Sequence, residues 1–174
     1  MLNIQSFLPI VNSDSKILIL GSIPGKESLR QHQYYAYRQN QFWKIIYSLF
    51  DTPIDDNYES RILFLKKNNI ALWDVIQSCH REGSLDSNIK NEEANDFESL
   101  FNNYPNIEYV FFNGLKAYNV FKKKVGFNFE NIKFQRLEST SPANTKKFEY
   151  KLDNWSIIKN VIISYQNLKN IHFL

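Results

Sequence analysis

Apolar periodicity along the chain switches repeatedly between the strand pattern and the helical one, and that alternation limits the folds open to it. Short apolar runs predict strands at residues 16–20, 70–75, 108–112 and 132–137. Between them, Phe42, Ile45, Ile46, Leu49 and Phe50 fall on one face of a helix, and Phe97, Leu100, Phe101 and Tyr104 on one face of another. Further helices are predicted over 58–67 and over 115–124, the latter between Gly114 and a capping Gly126. A last helix should run from about Asp153, a good N-cap, through Trp155, Ile158, Ile162, Tyr165 and Leu168. Strands alternating with helices predict an α/β fold whose parallel sheet is covered on both faces and joined by right-handed crossovers.

Nothing divides the chain. Its 174 residues, 43% of them hydrophobic, suit one core and one domain over 1–174. The polar stretches 51–60 and 82–96 have the length of connections or functional loops. No signal peptide and no membrane-length apolar run is visible, so a cytoplasmic protein is expected; a monomer is expected as well.

The first strand ends in Gly21, Pro24 and Gly25, which turn the backbone at the edge where open α/β sheets keep their sites. Lys26-Glu27-Ser28 follows, which fits neither a phosphate-binding loop nor a dinucleotide fingerprint. Cys79 is the only cysteine, and His32, His80 and His172 form no metal-binding spacing, so no metal, iron–sulfur cluster or other cofactor is expected. A net charge of +3 is only mildly basic. The local groups Lys122-Lys123-Lys124, Lys146-Lys147 and Lys151 suit either a solvated face or contacts to phosphates.

Four segments carry more. GSIPGKESL at 21–29 leading to QYYAYRQNQFW at 33–43, then ALWDVIQSCHREGSLDSNIK at 71–90, VFFNGLKA at 110–117 and STSPAN at 139–144 together resemble the uracil-DNA glycosylase superfamily, in its hypoxanthine (deoxyinosine) DNA glycosylase branch. The resemblance spans most of the chain in the family's order. It implies a three-layer α/β/α sandwich around a four-stranded parallel sheet, damaged DNA as partner, and hydrolysis of the N-glycosidic bond of deoxyinosine without a cofactor. The single cysteine sets aside the cluster-bearing branches.

The resemblance also assigns residues. In the uracil-removing branches the position of Ile23 holds a water-positioning Asp or Asn, a task an aliphatic side chain cannot perform. The branch resembled here places its essential asparagine at Asn40, whose amide oxygen would accept from the attacking water. An N-cap before Gln41-Phe42-Trp43 is the other reading of that residue, and Phe42 and Trp43 themselves read as core. Tyr34 and Tyr35 offer a flat partner for an extruded purine, or pack the loop. Asp74 would accept from the purine N1–H, or else cap a turn or pair with Arg81, and the backbone amides of Ser22 and Ile23 would donate to the base. Asn113 is expected to order the loops.

STSPAN resembles the loop that presses on the damaged strand. Ser139 stands where uracil-specific enzymes carry a histidine. Ser139, Thr140, Ser141 and Asn144, with Lys146 and Lys147, are expected to contact DNA phosphates. Lys26 reads as a surface residue, which favours hydrolysis over lyase chemistry. Two other readings stay open: a mismatch uracil-DNA glycosylase of the same fold, and a catalytically idle DNA- or nucleotide-binding module.

Overall fold

The computed structural model describes residues 2–83 and 85–171. His172 and the side chain of Leu168, both named above, lie outside the described residues. The central sheet is parallel, in the order β3-β2-β6-β7, from β2 (Ile17–Gly21), β3 (Ile70–Asp74), β6 (Tyr109–Asn113) and β7 (Lys133–Leu137). β2 is central, with Leu20 in register with Trp73 on one side and Phe112 on the other. Both β2 and β3 are buried at every position, as an internal parallel strand must be.

Helices α2 (Phe42–Leu49), α3 (Tyr58–Lys67) and α6 (Phe148–Ile171) pack together, Phe42 edge-on to Trp155 and Tyr47 stacked on Phe64. α4 (Phe97–Asn103) and α5 (Leu115–Lys124) cover the other face, where Phe97 meets Trp73 and Phe121 meets Phe112. The three-layer α/β arrangement is therefore as expected. Asp96 and Asn57 cap α4 and α3 with their side chains, and Gly126, at φ +84°, turns its N–H back to the Phe121 carbonyl to close α5.

The structure departs from the sequence reading at three places. A second, antiparallel sheet of order β1-β4-β5 joins β1 (Leu2–Gln5), β4 (Ile76–Arg81) and β5 (Lys90–Ala94). β5 reads KNEEA and carries no apolar signal, so part of the stretch 82–96 taken as loop becomes strand only because β4 offers it an edge. α1 (Lys26–Gln31) is too short for periodicity to reveal. α6 begins at Phe148, so Asp153 is an exposed residue within the helix and not its cap. No helix among the described residues is long and apolar enough to cross a membrane.

Phe112 sits at the aromatic centre of the α4/α5 face, fully buried and within ring-contact distance of Tyr118, Phe121, Phe127 and Phe134. Phe112→Ala should cost about 3–5 kcal/mol through lost burial and the cavity left behind. Chemical denaturation measures it, and a cost below about 1 kcal/mol would show that the neighbouring rings collapse into the gap.

Candidate active site

The C-terminal ends of all four parallel strands open onto one cleft of about 910 Å³, the size of a small-molecule site. Its wall comes from the turn after β2, the 34–40 loop, Asp74, the Asn113–Gly114 step and the 139–144 loop. The four segments that resemble one family in sequence therefore meet around one space.

Gly21 sets the spacing on one side. A Cβ at this position would lie 2.6 Å from Asp74 Oδ1 and 2.9 Å from the Tyr35 hydroxyl, so only glycine lets both groups reach the strand end. Asp74 is 3% exposed, and Ser6 Oγ, at the end of β1, donates to its Oδ2 at 3.2 Å. The second sheet thus supplies a partner to the acid. Arg81 is also buried and donates to the carbonyls of Pro24 and Gly83, which holds the turn over β4. Ser22 lends its carbonyl to the Ile76 N–H, while the Ile23 N–H donates to no acceptor among the described residues.

The two tyrosines divide. Tyr34 is 4% exposed, its carbonyl accepts from the Trp43 indole N–H at 3.0 Å, and its ring packs edge-on against Phe7. Burial, and after it the Asp74 carboxylate, pushes the Tyr34 phenol far above its ordinary value, so it stays neutral. Tyr35 is half-buried and stacked on Phe42, centroids 4.0 Å apart, and its hydroxyl accepts from Asn113 Nδ2 at 2.9 Å. It holds φ at +53°, a left-handed conformation that costs an ordinary residue on the order of 1 kcal/mol.

Asn40 lines the cleft one residue before Gln41, the N-cap position of α2, and its Oδ1 accepts from the Phe42 N–H at 3.0 Å. The same oxygen accepts from Thr140 Oγ1 at 2.8 Å. Both lone pairs are taken, so the amide oxygen is not available to a water, contrary to the role expected of it from sequence. Thr140 is also corrected: it is fully buried, not presented to phosphates, and its carbonyl accepts from the Gln41 N–H at 3.0 Å. Asn113 closes this network, accepting from the Thr140 N–H and donating to Thr140 Oγ1, each at 2.9 Å. It orders the loops, as expected.

The rest of the 139–144 loop is held from below. Trp155 Nε1 donates to the Glu138 carbonyl and Asn144 Nδ2 to the Ser139 carbonyl, while Ser139 Oγ accepts from the Ser141 N–H. Lys151 is buried beneath it, donating to the Asn144 carbonyl at 2.7 Å and to Gln41 Oε1 at 3.0 Å. It is an internal tether, not a phosphate contact, and burial lowers its pKa. Lys146 and Lys147 are exposed beside the loop. Lys146 donates to Glu138 at 2.7 Å and holds that carboxyl below the usual range. Lys122, Lys123 and Lys124 end α5, which runs back from the cleft edge for about 15 Å, so this group lies at the far side of the sheet. Sequence reasoning missed Ser6 and Gln41, which no local pattern marks, and Leu115 and Lys116, which line the cleft just past the Asn113–Gly114 step.

A family model described as the uracil DNA glycosylase superfamily matches residues 8–160. A protein named hypoxanthine DNA glycosylase from Methanosarcina barkeri (strain Fusaro) is 37% identical over 155 residues, covering 87% of this chain and 95% of that one. A protein of the same name from Methanosarcina acetivorans is 36% identical over 155 residues, covering 88% and 96%. The solution NMR structure of a putative uracil DNA glycosylase from Methanosarcina acetivorans matches with a TM-score of 0.78 at 34% identity, covering 92% of this chain and 99% of that one.

Gly21→Ala should lower stability by about 1–3 kcal/mol, because the buried Asp74 carboxylate or the Tyr35 ring must shift. Introducing the same change in a Tyr35→Phe background, where one of the two contacts is gone, should cost less. A double-mutant cycle by chemical denaturation reads the coupling. Strict additivity would show that Tyr35 does not feel the added methyl.

Proposed function

The chain belongs to the uracil DNA glycosylase superfamily, and on that premise we propose that it is a monofunctional DNA glycosylase that removes hypoxanthine from deoxyinosine in DNA. The names of two relatives at 36–37% identity support that base. The observation that carries the reading is the cleft's pairing of a buried carboxylate, Asp74, with Asn40. Hypoxanthine presents N1–H as a donor and O6 as an acceptor. Asp74 accepts from the first, and the Ile23 N–H, with Ser22 beside it, donates to the second.

Extruding the nucleotide sacrifices base stacking, worth roughly 1–3 kcal/mol per base, and Tyr35 backed by Phe42 offers the flat surface that offsets it. Tyr34, buried against Phe7 and tied to Trp43, braces the loop and does not face the base. In the hydrolysis, water adds its oxygen to C1′, the C1′–N9 bond breaks, and the bonding pair leaves with the purine, which takes up a proton. The sugar carbon is oxocarbenium-like at that point, so the water needs holding more than deprotonating. Asn40 holds it by donating from Nδ2 to the water oxygen, which keeps a lone pair for the carbon. Ser139, Ser141 and Asn144 with Lys146 and Lys147 form the surface for the damaged strand's phosphates.

The name of the solved relative, a putative uracil DNA glycosylase, favours uracil as the second reading. Ile23 and Ser139 weigh against it. A panel of duplexes carrying hypoxanthine, xanthine, uracil, oxanine or adenine should show hypoxanthine released fastest and adenine spared, since adenine leaves buried polar groups unmatched. Fastest release of uracil would install the second reading, and tight binding without release of any base would make the chain a binding module. Asn40→Ala should slow release by about 10²–10⁴ in single-turnover kinetics with DNA affinity retained. Asp74→Asn should blunt the preference for hypoxanthine over adenine; unchanged selectivity would leave base reading to backbone groups alone.

A further inference from the structure

We propose that Thr140 is the positioning residue that fixes which end of the Asn40 carboxamide faces the cleft, so that Asn40 acts only as a donor. This rests on the glycosylase reading above. Two groups have a direction that cannot change, the backbone N–H groups of Thr140 and Phe42, which only donate. The Thr140 N–H points at Asn113 at 2.9 Å, which makes the facing atom the Asn113 oxygen and sends Asn113 Nδ2 toward Tyr35 and Thr140 Oγ1. Having accepted that bond, the threonine hydroxyl spends its single proton on Asn40, 2.8 Å away. The Phe42 N–H arrives at the same Asn40 atom from the other side, at 3.0 Å.

Both ends of the chain therefore demand an oxygen at that position. A flipped Asn40 would set its –NH2 against two donors. Thr140 is fully buried, and its carbonyl is zipped to the Gln41 N–H, so the hydroxyl has no room to turn away. Asn40 Nδ2 has no acceptor among the described residues, and no buried side-chain nitrogen or oxygen among them lacks a partner. The nitrogen is thus solvent-accessible on a residue that lines the cleft. The same chain links the Tyr35 hydroxyl to Asn40 through Asn113 and Thr140, so the base-stacking ring and the water-holding amide share one set of bonds.

Two substitutions separate donor from acceptor and positioning from scaffolding. Asn40→Asp keeps an oxygen for Thr140 and Phe42 and gives the cleft a second oxygen in place of –NH2. It should lose activity to within about threefold of Asn40→Ala, whereas an acceptor role would leave it near the wild-type rate. Thr140→Val keeps the shape but not the hydroxyl, and should lower the single-turnover rate about ten- to a hundredfold with duplex affinity within about twofold. Thr140→Ser restores the hydroxyl and should recover the rate to within about threefold even where its melting temperature falls as far as that of Thr140→Val. Rates that follow melting temperature in both variants would reduce Thr140 to a structural residue and overturn the proposal.

One readout does not depend on base release. In the NMR spectrum of the full chain at neutral pH, the Thr140 hydroxyl proton should exchange slowly with solvent and show cross-relaxation to the Phe42 amide proton, while the Asn40 –NH2 protons exchange rapidly. A rapidly exchanging Thr140 hydroxyl would overturn the assigned polarity. Failure of every damaged base in the panel, with this NMR signature intact, would sink the glycosylase reading and leave the polarity standing.

Discussion

A backbone N–H has one direction, and much of the cleft depends on that constraint. The amides of Thr140 and Phe42 sit at opposite ends of a chain of side chains and fix the polarity of every link between them. The result joins three segments far apart in sequence, the 34–42 loop, the end of β6 and the 139–144 loop. Partly satisfied networks of this kind are costly in a low dielectric, and complete ones specify a single arrangement. The buried Lys151 extends the same logic, anchoring the 139–144 loop to Gln41 from the side of α6.

The other wall of the cleft is arranged by what is missing. Gly21 has no side chain, so Asp74 and Tyr35 close on the end of β2 from either side. Gly114 plays a comparable part, with φ at +96° and Ser139 Cβ where its own Cβ would clash. Asp74 is further surrounded by elements of both sheets, since β4 leaves β3 directly after it and Ser6 comes from the end of β1. The antiparallel sheet is thus more than decoration on the sandwich: it partners a carboxylate at the cleft.

Together these devices set the aromatic and the polar groups of the cleft in separate places. Tyr34 and Phe42 are buried, and Tyr35, stacked on Phe42, lines the cleft together with Asn40 and Asp74. Under the proposed reading Ser139 stands where a histidine would and Ile23 where a polar residue would, which moves the polar weight of the site onto the 34–42 loop. The geometry accommodates that shift because α2 begins there, and its first N–H groups need an acceptor in any case.

The parallel sheet, its flanking helices and the place of the cleft were legible in the chain, because each strand's apolar run and each helix's period are local signals that burial on two faces enforces. The GSIPG turn, Asn113-Gly114 and STSPAN could be placed at one edge for the same reason, as parallel strands bring their C-terminal ends together. β5 could not be read, since KNEEA becomes a strand only against β4, and Asp153 misled because Phe148 packs and starts α6 earlier. Nor could sequence tell that Thr140 is buried while its neighbours Ser139 and Ser141 are partly exposed, or that Lys151 points inward and Lys147 outward. Local pattern determined which strand ends and loops gather at the cleft. Which atom of Asn40 faces it was decided only in three dimensions, because a carboxamide's direction is set by donors that lie up to 100 residues away in the chain.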